Sequence, residues 1–252
     1  MSRQGIASHE IKSEKIKLEK EIINSFYKAR SNHGKRYIKQ ILERQAKYVS
    51  LPTIAKVLKK NNLCAKSGRR KHWSKTKSKP EYLAEYIAKN KKDLPHFLQI
   101  VCADITEIKC FGGKFFVSGI IDVATKMLVG LRIDKMAKQE IVQEAIQDMF
   151  NRYGVPQMYH CDRGCQYTAI KTKEQLDRAG VIVSMSRPGT PHDNQPIESF
   201  WNTLKRELNQ VTEQKYEQAK LTVFEYVSYY NSERLHSSNN YLTPQEKRLK
   251  TL

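Results

Sequence analysis

Three acidic residues in the second half of the chain have the types and positions of a catalytic metal site. Asp104 lies among apolar residues of a predicted strand, Asp162 directly follows a short predicted strand, and Glu198 falls in the first turn of a predicted helix. A charged group within a strand is costly to bury unless something pairs with it. Carboxylates gathered from strand ends and a helix repel one another unless cations bind between them. The three acids therefore predict a site for divalent cations.

The type of ligand limits which metal ions could bind and which reaction they could support. Oxygen ligands alone suit Mg²⁺ or Mn²⁺, and two such ions roughly 3.5–4 Å apart can activate an attacking oxygen and stabilise a leaving one at a phosphodiester. Each acid also has an ordinary alternative: an ion-pair partner at Asp104, a turn residue at Asp162 and a helix-dipole charge at Glu198. Asp122, at the end of the second predicted strand, is a further candidate acid with a turn-capping role as its alternative.

Four sequence blocks around these acids resemble one known family. Asp104 and Asp162 are 58 positions apart, and 35 residues separate Asp162 from Glu198. The blocks are D-I-T at 104–106, H-C-D-R-G-C-Q-Y at 160–167, S-R-P-G-T-P-H-D-N-Q-P-I-E-S-F-W-N-T-L-K-R-E at 186–207, and Y-N-S-E-R-L-H at 230–236 with L-T-P at 242–244. In this order they resemble the second-reading-frame transposases of the third insertion-sequence family, within the superfamily of Asp-Asp-Glu transposases and retroviral integrases.

The resemblance implies an α/β fold: an RNase H-like integrase core, a mixed sheet flanked by helices, preceded by a small all-α, helix-turn-helix-like domain. It implies that Asp104, Asp162 and Glu198 are catalytic metal ligands for Mg²⁺ or Mn²⁺, with two ions expected, and that the substrate is DNA. Activated water would cut at the element's end and leave a 3′-hydroxyl. That hydroxyl would attack a second phosphodiester in line, without a covalent enzyme intermediate.

Three further residues are expected to serve DNA binding. Lys205 lies seven residues, two helical turns, after Glu198, where a cation would hold a phosphate; a solvated surface lysine is the alternative. Asn194 either orients the helix of Glu198 or touches DNA. Arg234, which shares its block with His236, either contacts DNA or belongs to a cap that packs the last helix on the core.

The chain departs from the family pattern at positions other than the three acids. Val101 stands where the family usually has Trp, three residues before the first Asp, and Cys161 stands where Ser is usual. His192 and Gln195 stand where Tyr and Ala are frequent. Because no metal ligand is lost, catalysis is still expected, with looser packing near Asp104.

Hydrophobic periodicity predicts the strands and helices that position these residues. Three antiparallel strands, with a hairpin turn at Gly112-Gly113, are followed by alternating helices and strands, and this order predicts a mixed α/β domain. The predicted strands are 98–108, 115–122, 127–133, 158–161 and 181–184. The predicted helices are 139–150, 172–179 and the segment in which Ile197, Trp201, Leu204 and Leu208 recur on one face.

Charge divides the chain unevenly and points to a polyanion partner. Residues 1–100 hold 25 Lys and Arg against 8 Asp and Glu, or +17, whereas residues 101–252 hold 20 against 18, or +2. Such a basic front half favours nucleic acid, with a solvated lysine-rich surface as the alternative.

We predict three regions. Residues 1–65 form a helical, helix-turn-helix-like DNA-binding domain, in which Ser50 is an N-cap; an ordinary helical bundle is the alternative. Residues 66–96 form a basic linker with a short helix at 82–92, and 97–252 the catalytic core with C-terminal helices. The linker composition cannot bury a core, and three of its cations are expected to contact DNA: Arg69, Arg70 and Lys71.

Cellular context and partners complete the prediction. Five cysteines without a C-x-x-C pair indicate reduced thiols, and the group of His160, Cys161 and Cys165 lacks the second ligand pair of a structural zinc site. With no membrane-length apolar run and no signal-peptide pattern, the chain is expected in the bacterial cytoplasm, on the nucleoid. A homo-oligomer on DNA and an upstream-frame protein are the expected partners.

The predicted function is Mg²⁺-dependent cleavage and strand transfer of insertion-sequence ends. Two alternatives stay open at this point: a metal nuclease of the same fold that does not join DNA, and a non-catalytic DNA-binding protein from a decayed element.

Overall fold

The structure, a computed structural model, describes residues 3–66, 96–186, 194–208 and 211–251. The chain divides into two compact units, residues 1–74 and 75–252. The predicted basic linker and its short helix, together with Arg69, Arg70 and Lys71, lie outside the described residues, as does His192. In the parts that are described, no helix is both long and apolar enough to cross a membrane.

The N-terminal unit consists of three helices around a small apolar core. They are α1 (Arg3–Lys28), α2 (Lys35–Arg44) and α3 (Leu51–Lys60). Ile22, Ile38, Leu42 and Ile54, one or two from each helix, are fully buried against one another. The predicted N-cap is present, because the Ser50 side chain accepts a hydrogen bond from the backbone N–H of Thr53 in the first turn of α3.

The second unit is built on a five-stranded sheet with the order β3-β2-β1-β4-β5. The strands are β1 (Ile100–Cys110), β2 (Gly113–Asp122), β3 (Leu128–Asp134), β4 (Met158–Cys161) and β5 (Ile182–Met185). β1 to β3 form an antiparallel meander, whereas β4 runs parallel to β1 and β5 parallel to β4. The predicted mixed sheet is confirmed, with strand ends displaced by a few residues.

Helices cover both faces of this sheet and create two cores. The helices are α4 (Gln139–Tyr153), α5 (Cys165–Thr168), α6 (Ile170–Arg178), α7 (Gln195–Glu207), α8 (Tyr216–Ser232) and α9 (Pro244–Leu249). Val101 and Ala103 of β1 pack on the α4 side, while Ile100, Cys102 and Ile108 pack on the side of α7 and α8. Because side chains alternate along a strand, Asp104 points to the α7 side.

Helix α8 is one of the C-terminal helices, for which the sequence predicted no bounds, and one of its side chains closes the open edge of the sheet. Asn231 accepts a hydrogen bond from the backbone N–H of Leu128 at 3.0 Å and donates one to the C=O of the same residue at 2.9 Å. Its amide thereby replaces a neighbouring strand at the start of the edge strand β3. This contact explains part of the sequence block at 230–236.

We expect Asn231→Ala to lower the free energy of unfolding by about 1–3 kcal/mol, because two backbone groups of Leu128 lose their partner. Urea denaturation measures the change. Ser232→Ala is the matched control, since this exposed neighbour bonds only back into its own helix at Ser228. Equal losses in the two variants would contradict the edge-closing role of Asn231.

Candidate functional site

Two of the three predicted acids are carried by neighbouring parallel strands, one within its strand and one directly after it. Cys102 of β1 stands opposite His160 of β4, and two residues further along these strands come Asp104 and Asp162. Asp104 is half-buried within β1, whereas Asp162 is exposed just past the end of β4. The Asp162 carboxylate accepts a hydrogen bond from the N–H of Gly164 at 2.9 Å, which orients it in the turn before α5.

Strand β4 is itself held in register by a buried histidine. The ring of His160 lies between two hydroxyls of the neighbouring strand segment, with Nδ1 3.0 Å from Ser184 Oγ and Nε2 3.0 Å from Ser186 Oγ. Burial raises the pKa of the adjacent Cys161 thiol to about 12, which makes this thiol an unreactive core group. These contacts define the backbone from which Asp162 projects.

Helix α7 carries the third acid and is bonded directly to β1. The side chain of Asn194, at the start of the helix, donates to the C=O of Ala103 at 2.8 Å. The indole N–H of Trp201 donates to Oδ2 of Asp104 at 3.0 Å. Glu198, in the first turn, lies between these two anchors and is partly buried.

The pKa of Asp104 depends on the charges of the other two acids. The pKa of Asp104 is raised to about 6, chiefly by burial and in smaller part by the charges of Asp162 and Glu198, against the lowering effect of hydrogen bonds from Ile105 N–H and Trp201. Asp104 therefore experiences both other carboxylates. Among the described residues, no three His, Cys, Asp or Glu side chains are grouped closely enough to hold a metal ion.

Comparison with known proteins identifies the family. An integrase core domain model matches residues 96–191, and a second integrase core domain model matches residues 179–244. A transposase-like protein of Haemophilus influenzae is 32% identical over 59% of this chain and 70% of its own length. The chain belongs to the insertion-sequence transposases of the integrase superfamily. The transposase for insertion sequence element IS904 of Lactococcus lactis is 29% identical over 97% of this chain and 96% of that protein.

A solved structure supports the fold assignment of this transposase. The intasome of simian T-cell lymphotropic virus, in complex with a PP2A regulatory subunit, has a TM-score of 0.54 at 11% identity. The match covers 83% of this chain and 70% of that one. The predicted RNase H-like fold, a mixed sheet flanked by helices with a helical N-terminal region, is thus confirmed.

Two residues that were expected to touch DNA are buried in this transposase. Asn194 is 4% exposed and bonded to β1, so the geometry favours the alternative in which it orients α7. Arg234 is 9% exposed, and its guanidinium donates to the Glu207 carboxylate at 2.9 and 3.3 Å. This ion pair ties the chain after α8 to the end of α7.

Two predicted residues remain, Lys205 and Asp122. Lys205 is exposed on α7, close enough to Glu107 of β1 to lower the pKa of that carboxyl after the larger effect of Lys114. Asp122 is fully buried, and its Oδ2 accepts both the N–H and the hydroxyl of Thr125 at 2.7 and 2.6 Å. Asp122 is therefore a turn cap rather than a fourth acid of the site.

Sequence reasoning missed the polar function of Trp201. Its position predicted only a place on the apolar face of α7, and the side chain is indeed 4% exposed within that core. The bond to Asp104 joins residues 97 positions apart, so no local pattern could have indicated it.

Proposed function

We propose that this transposase is an Asp-Asp-Glu polynucleotidyl transferase that cuts the ends of its insertion sequence and joins them to DNA with Mg²⁺ or Mn²⁺. The observation that carries the proposal is the placement of the acids: Asp104 and Asp162 each lie two residues past the paired Cys102 and His160, and the helix of Glu198 is bonded to β1 at Ala103 and Asp104. The charges of Asp162 and Glu198 both raise the pKa of Asp104, in a protein whose relatives are transposases.

The donor set fits a hard divalent cation. All three candidate ligands are carboxylates, and their mutual repulsion is relieved when a cation binds between them. A bound divalent ion supplies Lewis-acid stabilisation of the attacking and leaving oxygens at the phosphodiester. Asp104 is the half-buried member, fixed by Trp201, while Asp162 stands at the exposed rim. This difference supports a site that is open to DNA on the Asp162 side.

The rest of the chain supports DNA as the substrate. The +17 charge of residues 1–100 is concentrated in a region that begins with a three-helix unit, whose last helix carries Lys56, Lys59 and Lys60. We propose that residues 1–65 bind the element ends and that 66–96, with Arg69, Arg70 and Lys71, follow the DNA backbone towards the core at 97–252. Pairing two ends requires at least two protomers, and an upstream-frame protein is a further proposed partner.

Lys205 is the proposed phosphate contact beside the acids. We expect Lys205→Ala to weaken binding of element-end DNA uniformly across sequences and to lower the log–log salt slope of binding by about 0.9, the value of one released counterion. Fluorescence anisotropy at several salt concentrations measures both. Lys173→Ala is the control, because that lysine is exposed on α6, which packs with α4 on the other side of the sheet. An unchanged salt slope in Lys205→Ala would contradict the contact.

The proposed reaction is tested with a pre-cut element end, target DNA and Mg²⁺. We expect joined products that disappear when the metal is chelated. Cut fragments without joined products would indicate a nuclease, and DNA binding without metal-dependent products would indicate a non-catalytic protein. Either result overturns the proposal.

A further inference from the structure

Two hydrogen bonds fasten α7 to adjacent residues of β1. Their donors, Asn194 and Trp201, are seven residues apart on the helix, which is two turns and therefore the same face. Their acceptors are the C=O of Ala103 and the carboxylate of Asp104. Glu198 lies between the two donors, so the same fastening determines where Glu198 stands relative to Asp104.

The indole of Trp201 reaches Asp104 only because β2 carries no side chain where the ring crosses it. Gly119 stands directly opposite Asp104 in the β1–β2 pairing. A Cβ placed on Gly119 would lie 2.6 Å from Cη2 and 2.8 Å from Cζ2 of Trp201, both shorter than any tolerable contact. Trp201 also packs against Phe200, with ring centroids 4.9 Å apart. The ring is thus held by β2 below and by its own helix beside it.

We propose that Trp201, seated on Gly119, is a positioning residue that fixes the Asp104 carboxylate for metal ligation and ties it to the position of Glu198. This inference rests on the proposed function of the three acids. An indole nitrogen can only donate, so its bond to Oδ2 fixes the rotation of the carboxylate and directs its remaining lone pairs. Partners of this kind, which orient a metal ligand without touching the metal, typically change metal affinity 10–100-fold when they are removed.

Tryptophan fluorescence can follow the contact between Trp201 and Asp104, because the chain has few tryptophans. It contains two tryptophans, Trp73 and Trp201, so Trp73→Phe leaves Trp201 as the only indole. We expect the fluorescence of the Trp73→Phe protein to be quenched on addition of Mn²⁺, because a paramagnetic ion would bind beside the carboxylate that holds the indole N–H. The additional change Asp104→Asn is expected to remove the quenching.

Trp201→Phe is the decisive variant, because it keeps a buried aromatic ring while removing the N–H donor together with part of the indole. Calorimetric titration of the DNA-free protein with Mn²⁺ is expected to give an affinity at least about tenfold weaker than that of the native chain. The melting temperature is expected to fall by a few degrees, because the smaller ring leaves a cavity in the core. In the joining assay, the half-saturating Mg²⁺ concentration should rise by about the same factor, while the rate at saturating Mg²⁺ changes less.

Two glycine variants separate positioning from general packing. Gly119→Ala should weaken Mn²⁺ binding as Trp201→Phe does, because the new methyl group displaces the ring. Gly130→Ala is the steric control: its Cβ would lie 2.7 Å from the C=O of Ala145, away from Trp201, and should lower the melting temperature without a selective loss of Mn²⁺ affinity. Parallel losses of affinity and stability in both glycine variants would overturn the role of Gly119.

The outcomes distinguish this inference from the function on which it rests. If Asp104→Asn abolishes Mn²⁺ binding but Trp201→Phe binds within about twofold of the native protein, the positioning role alone is wrong. If Asp104→Asn binds Mn²⁺ as the native protein does, the proposed metal site itself is wrong.

Discussion

Asp104→Asn is expected to abolish DNA cleavage and joining, with a rate loss of at least about 1,000-fold. Loss of one ligand removes several kcal/mol of metal-derived stabilisation from the transition state, and each 1.4 kcal/mol is a factor of ten in rate. Asparagine is nearly isosteric and can still accept the Trp201 N–H through its amide oxygen. DNA binding should therefore be unchanged, which electrophoretic mobility shift and product analysis on gels would measure together.

The same variant should be more stable than the native protein when no metal is present. The pKa of Asp104 is raised from 3.8 to about 6, chiefly by burial, so the folded state retains a proton that the unfolded chain releases. The free energy of unfolding therefore falls as pH rises from 3.8 to about 6. At pH 7 the whole cost of burying the charged carboxylate is present. Asparagine carries no charge to bury. The melting temperature of the metal-free variant at pH 7 is therefore expected to lie a few degrees above that of the native protein.

Glu107→Gln is the matched control for both measurements. Glu107 lies three residues further along β1, but its side chain is 40% exposed and paired with Lys114 at 2.7 Å. We expect its removal to leave strand cleavage within about threefold and stability within about 0.5 kcal/mol, as for surface pairs in general. Comparable loss of activity in the two variants would show that Asp104 is not specifically required.

Arg234→Ala is expected to lower the free energy of unfolding by about 3–5 kcal/mol, the largest stability effect we predict. The Glu207 side chain is 1% exposed, and it accepts hydrogen bonds from Arg234 and from the hydroxyl of Tyr226 at 3.0 Å. Truncating the arginine leaves the buried carboxylate with only the half-exposed Arg206, whose Nη2 lies 3.5 Å from Oε1. Losing the main countercharge of a buried carboxylate is far more costly than losing an exposed pair. Urea denaturation followed by far-UV circular dichroism would measure the loss.

Two further variants test this explanation. Arg178→Ala, which breaks an exposed pair with Glu174 at 3.0 Å, should cost less than about 1 kcal/mol. The double variant Arg234→Met/Glu207→Leu should recover most of the stability lost in Arg234→Ala, because it removes both buried charges. If the double variant is as unstable as Arg234→Ala, the cost arises from lost packing rather than from the loss of the main countercharge of Glu207.

The sequence predicted the sheet and the three acids because both depend on local signals. Alternation along β1 and the turn at Gly112-Gly113 gave the hairpin, and the short blocks around Asp162 and Glu198 indicated the family. The ends of strands were displaced because hydrogen bonding, rather than hydrophobicity, decides where pairing stops. Whether the three acids bind metal stays a prediction.

What could not be predicted depends on contacts between distant residues. Helix α8 buries Tyr226, Tyr229 and Tyr230 on its inner face, and tyrosines give a weak amphipathic pattern because they are partly polar. The pairing of Arg234 with Glu207 joins residues from two different blocks across 27 positions. Tertiary packing decides which distant residues pair in this way, and it produces no periodic pattern in the sequence.

The close approach of Gly119 and Trp201 has a consequence for the descent of related transposases. The ring occupies the volume that any side chain at position 119 would need, so the two positions should vary together rather than independently. A relative with alanine or serine at the position of Gly119 should carry a smaller ring or an aliphatic residue at the position of Trp201. In such a lineage another donor must have arisen to hold the first aspartate.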